Sequence, residues 1–270
     1  MLGVLGRIWG GPLLYRGDGV EVRERYGVRT LHLNSDTVQS AMRVARPDDL
    51  ELSYTRSMMA FLLFAPPPSS AVLVGLGGGS LAKFIFRTMP ETRLKVLEIK
   101  PEVVEVAHTY FDLPSPCARL SIMLGDGARL ISEGVESTGL MLVDAYDGHS
   151  LAASLATESF FRSARAALSP RGVLAMNLWS SDRAFDRNLQ KIERAFENRC
   201  LCLPAERPGN VIVFAFAALP QRLRWAELRD HAAGLQERFG LEFPRFVEGL
   251  RKMNEFDSAG LRLRGMETRA

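Results

Sequence analysis

The chain has 270 residues, 47% of them hydrophobic and 24% charged, a globular composition with room for a full α/β core and a small extra domain. Its net charge of +3 comes without a lysine or arginine block, which argues against a nucleic-acid partner. No apolar run is long enough to cross a bilayer, and three cysteines without a metal-like pair suit a reducing, cytoplasmic compartment.

Met1 to Tyr15 is mildly apolar, but Arg7 interrupts it and no small-residue cleavage site follows, so no signal peptide is expected. Residues 20–46 read as a small antiparallel sheet with one wet face. Val28-Arg29-Thr30-Leu31-His32-Leu33 alternates apolar with polar, and Asn34-Ser35-Asp36 is a turn signal. Glu51 to Phe64 reads as a helix stopped by Pro66-Pro67-Pro68. A domain boundary is placed there, with residues 1–65 as the small β domain plus linking helix and 66–270 as the main domain.

Strand and helix then alternate. Strands are expected at 71–75, 94–98, 120–124, 139–144, 172–178, 200–203 and 210–216, and helices at 80–88, 101–110, 158–168 and 182–197. That order implies an α/β fold with a mostly parallel, doubly wound sheet. Cys200 and Cys202 alternate on a strand and read as core thiols. Residues 221–252 are amphipathic and helical, with Leu223, Leu228, Leu235 and Phe239 on one apolar face.

The first main strand, Ala71-Val72-Leu73-Val74, breaks into Gly75-Leu76-Gly77-Gly78-Gly79 before a helix. Glycines there let the chain turn sharply and let a ligand approach the backbone, and the helix start favours a nucleotide-type cofactor. In an open α/β sheet ligands sit beyond the carboxyl ends of the strands. The next strands end in Glu98, in Gly125-Asp126-Gly127 and in Asp144-Ala145-Tyr146-Asp147. Glu98 lies about 20 residues beyond the glycines, where an acid accepts from ribose hydroxyls. Asp126 can accept from an adenine amine, with Gly127 leaving room for the ring; Asp126 or Asp147, taken alone, also suits a helix cap. Asp144 and Asp147 form a carboxylate pair able to bind an ammonium, whose mutual repulsion raises one pKa for proton abstraction.

From Tyr54 to Leu178 the chain resembles the polyamine aminopropyltransferases, the spermidine synthase family, within the Rossmann-like S-adenosylmethionine-dependent methyltransferase superfamily. The resemblance is carried by the glycine loop, by Leu97-Glu98-Ile99-Lys100-Pro101-Glu102, by Gly125-Asp126-Gly127, by the D-x-x-D of Asp144 to Asp147, and by Leu155-Ala156-Thr157-Glu158-Ser159-Phe160-Phe161. It implies a Rossmann-like sheet of about seven strands behind a small N-terminal antiparallel β domain. It implies a sulfonium donor, decarboxylated S-adenosylmethionine or S-adenosylmethionine, bound by Gly75, Gly77, Gly79, Glu98, Asp126, Gly127, Gln39 and Tyr54. Asp144 and Asp147 would be catalytic, with no metal, an amine such as putrescine as acceptor, and a homodimer as the assembly. No nucleic acid or membrane partner is implied.

The chain also departs from that pattern. The family's glycine motif has an aspartate, which holds the donor's terminal ammonium, where this chain has Gly78. Thr55 replaces a histidine or glutamine, Gly148-His149-Ser150-Leu151-Ala152 replaces a proline-containing loop, and Pro204 to Asn210 replaces an aromatic acceptor segment. Losing a negative charge at position 78 weakens the hold on an ammonium tail and removes repulsion toward a carboxylate. A methyltransferase on a small acceptor, a non-catalytic nucleoside-binding relative and a nicotinamide-dependent oxidoreductase are therefore the competing readings. His149 is either a second base or a surface residue, and Arg207 either binds an acidic acceptor or is a solvated loop charge.

Overall fold

The computed structural model of the protein describes residues 11–147, 150–206, 209–220 and 222–263, with the side chains of residues 147 and 150 excepted. His149 and Arg207 lie outside the described residues.

The N-terminal sheet is an antiparallel meander of four strands, β1 (Leu13–Gly17), β2 (Val20–Arg25), β3 (Val28–Leu33) and β4 (Val38–Arg43). Strand β1 precedes the stretch the sequence marks as β-rich. Val20, Val22, Leu31 and Met42 are buried in the shared core. The opposite face is drier than its alternation suggests: Thr30 and His32 are also buried and bond each other at 3.0 Å. The expected single helix over 51–64 is a short helix α1 (Ser53–Met58) running into 3₁₀ turns over Met59–Leu63. Met58 to Phe64 is buried all round, so no wet face selects a regular amphipathic helix there.

The main sheet has seven strands in the order β12-β13-β11-β8-β5-β6-β7. These are β5 (Ser70–Val74), β6 (Arg93–Glu98), β7 (Leu120–Leu124), β8 (Thr138–Val143), β11 (Leu168–Trp179), β12 (Cys200–Pro204) and β13 (Asn210–Phe216). A minor pair, β9 (Tyr146–Asp147) and β10 (Ser150–Leu151), follows β8. Pairing is parallel from β7 to β11; β13 runs antiparallel to both β11 and β12. Helices α2 (Ser80–Thr88), α3 (Pro101–Tyr110), α4 (Gly127–Gly134), α5 (Glu158–Ala167), α6 (Phe185–Ala195), α7 (Trp225–Phe239) and α8 (Phe243–Gly249) complete the chain.

Helix α4 is not among the sequence expectations; it is short and glycine at both ends hides its period. The amphipathic tail is two helices, because Gly240 turns left-handed (φ 68°) after α7. Leu228, Leu235 and Phe239 are buried on α7, whereas Leu223 lies before it and is half-buried. Two apolar layers sandwich the sheet. One joins the small sheet, α2, α3, α7 and α8; the other joins α4, α5 and α6. From β5 the chain crosses to β6 on one side, while β8 lies on the other, which makes the carboxyl end of β5 the switch point.

Candidate active site at the switch point

A cavity of about 440 Å³ opens at the carboxyl ends of β5, β6 and β8 and is roofed in part by the small sheet. Gly75, Gly77, Glu98, Asp126, Gly127, Asp144, Gln39 and Tyr54 all line it, together with Asn34, Ser40 and Lys100. Gly79 does not: it caps α2 in a left-handed conformation (φ 73°) and packs under Leu113. Asp147 contributes backbone to β9 only, its side chain being outside the described part.

The glycine loop owes its shape to close packing. A Cβ on Gly75 would collide with the Asp144 carbonyl oxygen, so the loop and the end of β8 approach as only glycine allows. The loop N–H groups are turned inward. Gly75 donates to Leu97 O at 2.9 Å, Leu76 to Glu98 Oε2 at 2.8 Å, Gly78 to Ser40 Oγ at 2.9 Å and Gly79 to Leu76 O at 2.9 Å. A phosphate cradle presents such donors to its ligand, and these are already spent. With four of its amides committed in this way, the loop has fewer donors to offer a phosphate, which favours a nucleoside without one.

Glu98 is buried with both oxygens held, Oε2 by Leu76 N–H and Oε1 by Lys100 N–H at 2.9 Å. Each oxygen keeps a lone pair for a ligand hydroxyl. Asp126 caps α4, its Oδ1 accepting from Ala128 N at 2.7 Å and Arg129 N at 3.3 Å. It lines the cavity as well, so the capping and ligand-facing expectations coincide in one side chain. Gly127 lines the cavity and carries a packing requirement as well: a Cβ there would lie 2.5 Å from Val74 Cγ1, so helix–strand packing favours glycine.

Asp144 leaves β8 with its N–H donating to Val74 O at 2.9 Å, which aims the side chain outward from the sheet edge. Its carboxylate accepts from Tyr54 Oη on Oδ2 at 3.0 Å and from Asn177 Nδ2 on Oδ1 at 3.0 Å. Tyr54 Oη also lies 3.2 Å from the Gln39 carbonyl. Burial raises the Asp144 carboxyl above the usual carboxylate range, and the Asn177 and Tyr54 bonds pull it back. Burial, with the neighbouring Asp144 charge, pushes the Tyr54 phenol well up, so it stays a donor. Tyr146 is pushed up by the same two causes; its hydroxyl donates to Asn177 O at 2.9 Å and its ring stacks on Trp179 at 5.5 Å.

A second, smaller cavity of about 180 Å³ adjoins the first and shares Gln39, Tyr54, Asp144 and Tyr146 with it. Its own walls include Thr37, Ser53, Asn177, Trp179 and Asn210. Asp144 thus stands at the partition of a larger and a smaller chamber. Ser40, Tyr146, Asn177, Trp179 and Asn210 are absent from the sequence-derived site. The readable signal was Asn177, a lone amide in the apolar run Gly172 to Trp179.

Position 78 is sealed. A Cβ there would lie 2.9 Å from Phe111 Cδ1 and 3.0 Å from Ser40 Cβ. Among the described residues no cluster of three or more His, Cys, Asp or Glu is placed to hold a metal ion, and no helix is long and apolar enough to cross a membrane.

No family model matches the chain. The polyamine aminopropyltransferase of Chromobacterium violaceum is 41% identical over 236 residues, which are 87% of this chain and 90% of the relative. Among solved structures, a spermidine synthase in complex with the transition state analogue AdoDATO superposes with a TM-score of 0.69 at 17% identity, covering 88% of this chain and 84% of that one. Human methyltransferase-like protein 13 in complex with SAH superposes with a TM-score of 0.62 at 24% identity, covering 76% of this chain and 96% of that one. At these identities the structural likeness speaks for the fold.

Proposed function

The chain belongs to the polyamine aminopropyltransferase family and is a transferase, and from that premise we propose that it transfers the aminopropyl group of decarboxylated S-adenosylmethionine to a small amine such as putrescine. The donor nucleoside occupies the larger cavity, its ribose on Glu98 and its base beside Asp126 and Gly127. The amine enters the smaller one, along Tyr146 and Trp179. The observation that carries this reading is Asp144, a half-buried carboxylate lining both chambers.

The step is a displacement. The neutral amine nitrogen donates its lone pair to the methylene carbon next to the sulfonium. The carbon–sulfur bond breaks, its electron pair stays on sulfur, and a neutral thioether leaves. The new C–N bond leaves the nitrogen positively charged. Asp144 accepts a proton from the incoming ammonium and so supplies the free lone pair. Its raised proton affinity narrows the gap to an amine, while Tyr54 and Asn177 hold the carboxylate in place. Fixing donor and amine on opposite sides of one wall supplies much of the acceleration, and carboxylate electrostatics the rest.

One observation favours a second reading. Close packing at Gly78 leaves no room for an acidic side chain at that position, and a donor with its own carboxylate, ordinary S-adenosylmethionine, then meets no repulsion from it, which suits methyl transfer. Calorimetric titration with both donors, followed by product analysis with putrescine, separates the two. Tighter binding of the decarboxylated donor with spermidine as product supports aminopropyl transfer; preference for the carboxylated donor with no spermidine refutes it. In either reaction Asp144→Asn should lower kcat by about 10²–10⁴-fold with little change in donor affinity. An unchanged rate would remove Asp144 from the mechanism, and binding with no turnover on any amine would mark a non-catalytic relative.

A further inference from the structure

We propose that Asn210 is a positioning residue for the transfer reaction: it donates to Asn177 and thereby fixes the amide end that Asn177 presents to Asp144. The inference rests on the reading of Asp144 given above.

Asn177 lies inside β11 between the buried apolar Met176 and Leu178 and is itself buried. A buried amide in an apolar strand is costly unless its groups are paired. Here they are paired in one direction only. Asn210 Nδ2 donates to Asn177 Oδ1 at 3.0 Å, and Asn177 Nδ2 donates to Asp144 Oδ1 at 3.0 Å. A carboxamide has a donor end and an acceptor end of nearly equal shape. Turned over, Asn177 would face its oxygen to the carboxylate and its NH₂ to another NH₂. Both bonds form together in a single orientation.

The sheet register builds this chain of donors. Asn210 pairs with Trp179 across β11 and β13, and Asn177 pairs with Ile212. Opposite residues share a face, and so do residues two apart on one strand, so Asn210, Trp179 and Asn177 line the same side. Trp179 carries the Tyr146 stack, and Tyr146 closes on Asn177 O. Groups facing the Asp144 carboxylate are Tyr54 from α1, Asn177 from β11 and Tyr146 from β9, with Asp182 acting on Tyr146. The ionised carboxylate accepts only the donor end of Asn177, but once Asp144 takes up a proton the amide can meet it with either end, and the Asn210 donor biases it to the orientation that favours the ionised form.

The test uses the full chain and the variants Asn210→Leu, Asn210→Asp, Asn177→Leu and the double Leu variant. Steady-state rates are measured against pH with decarboxylated S-adenosylmethionine and putrescine, and donor affinity by calorimetry. Asn210→Leu should lower kcat about tenfold, the rate equivalent of one hydrogen bond. It should also move the acid limb of the pH profile upward while the donor dissociation constant changes less than twofold. Asn210→Asp, nearly isosteric but without the donor, should shift that limb further. Because Asn210 acts through Asn177, the double variant should be no slower than Asn177→Leu alone.

An Asn210→Leu profile identical to the native one, or effects that multiply in the double variant, overturns the inference. If Asn210→Leu does not fold, Asn210→Ala, which is neutral and also lacks the donor, carries the same comparison. Loss of activity in Asp144→Asn with a native Asn210→Leu profile would sink this inference alone; a fully active Asp144→Asn would sink the reading beneath it.

Discussion

Lys83 gives the most quantitative handle on the wall behind the donor cavity. It is fully buried on α2, and its Nζ donates to Phe111 O at 2.6 Å and to Met42 Sδ at 3.0 Å. Burial lowers its pKa from 10.5 to about 8, against the pull of Asp112 and Asp48. Folding thus disfavours the charged form. Below pH 8 the fold carries the full cost, about 3 kcal/mol at roughly 1.4 kcal/mol per unit. As pH rises from 8 toward 10.5 the folded chain sheds its proton before the unfolded chain does, so stability rises. By pH 9.5 about 1.4 kcal/mol of the cost remains.

Lys83→Met removes this dependence but leaves the Phe111 carbonyl without that donor, a loss of about 1–3 kcal/mol at all pH values. The informative quantity is therefore the difference between native and variant unfolding free energies, in which the contributions of groups common to both chains cancel. Urea denaturation at pH 7, 8, 9 and 9.5 should show the native chain gaining about 2 kcal/mol on the variant across that range. A difference that stays flat would mean that the ammonium is solvated in the fold and that the reasoning is wrong.

Other perturbations separate the parts of the site. Gly78→Asp forces a side chain against Phe111 and Ser40 and should lower stability by about 1–3 kcal/mol, read as a melting shift; an unshifted melt would mean that the wall yields. Glu98→Gln should weaken nucleoside binding by roughly ten- to a hundredfold in calorimetry, the loss of a charge-assisted bond, with kcat at saturation little changed. Tyr54→Phe removes a bond that favours the ionised Asp144, so its proton affinity rises and the acid limb of the rate profile should move to higher pH. A limb that moves downward would contradict that sign.

Much of the fold was legible because its elements follow periodic rules. β6, β7, β12 and β13 fall within a residue or two of their expected spans, since each is a short, mainly apolar run. The segment after Glu51 reads as one regular helix but folds as a short helix and 3₁₀ turns, because an element buried on every side has no stripe for periodicity to find. Helix α4 was missed because it is barely two turns long, although its cap, Asp126, was named for both possible roles. Strand β1 went unseen because its neighbours are glycines and a proline, which read as loop.

The site divides along the same line, and the division is physical. Carboxylates at strand ends stand out because charge is unusual where apolar runs stop, so Glu98, Asp126 and Asp144 could be picked from the chain alone. What makes one of them useful is neutral. Asp144 needs donors that stabilise its charge without neutralising it, and the phenol and amide that do so come from 90 residues upstream and 33 downstream. Their positions follow from tertiary pairing, not from local spacing. Among the described residues the leading cause of the raised proton affinity of Asp144 is burial, opposed by the bonds from Asn177 and Tyr54; the Asp147 side chain lies outside them. A base whose proton affinity is raised by burial stays tunable through whatever orients its donors. In this sheet the orienting group sits on β13, the reversed strand, whose antiparallel register brings the opening residue of one strand alongside the closing residues of another.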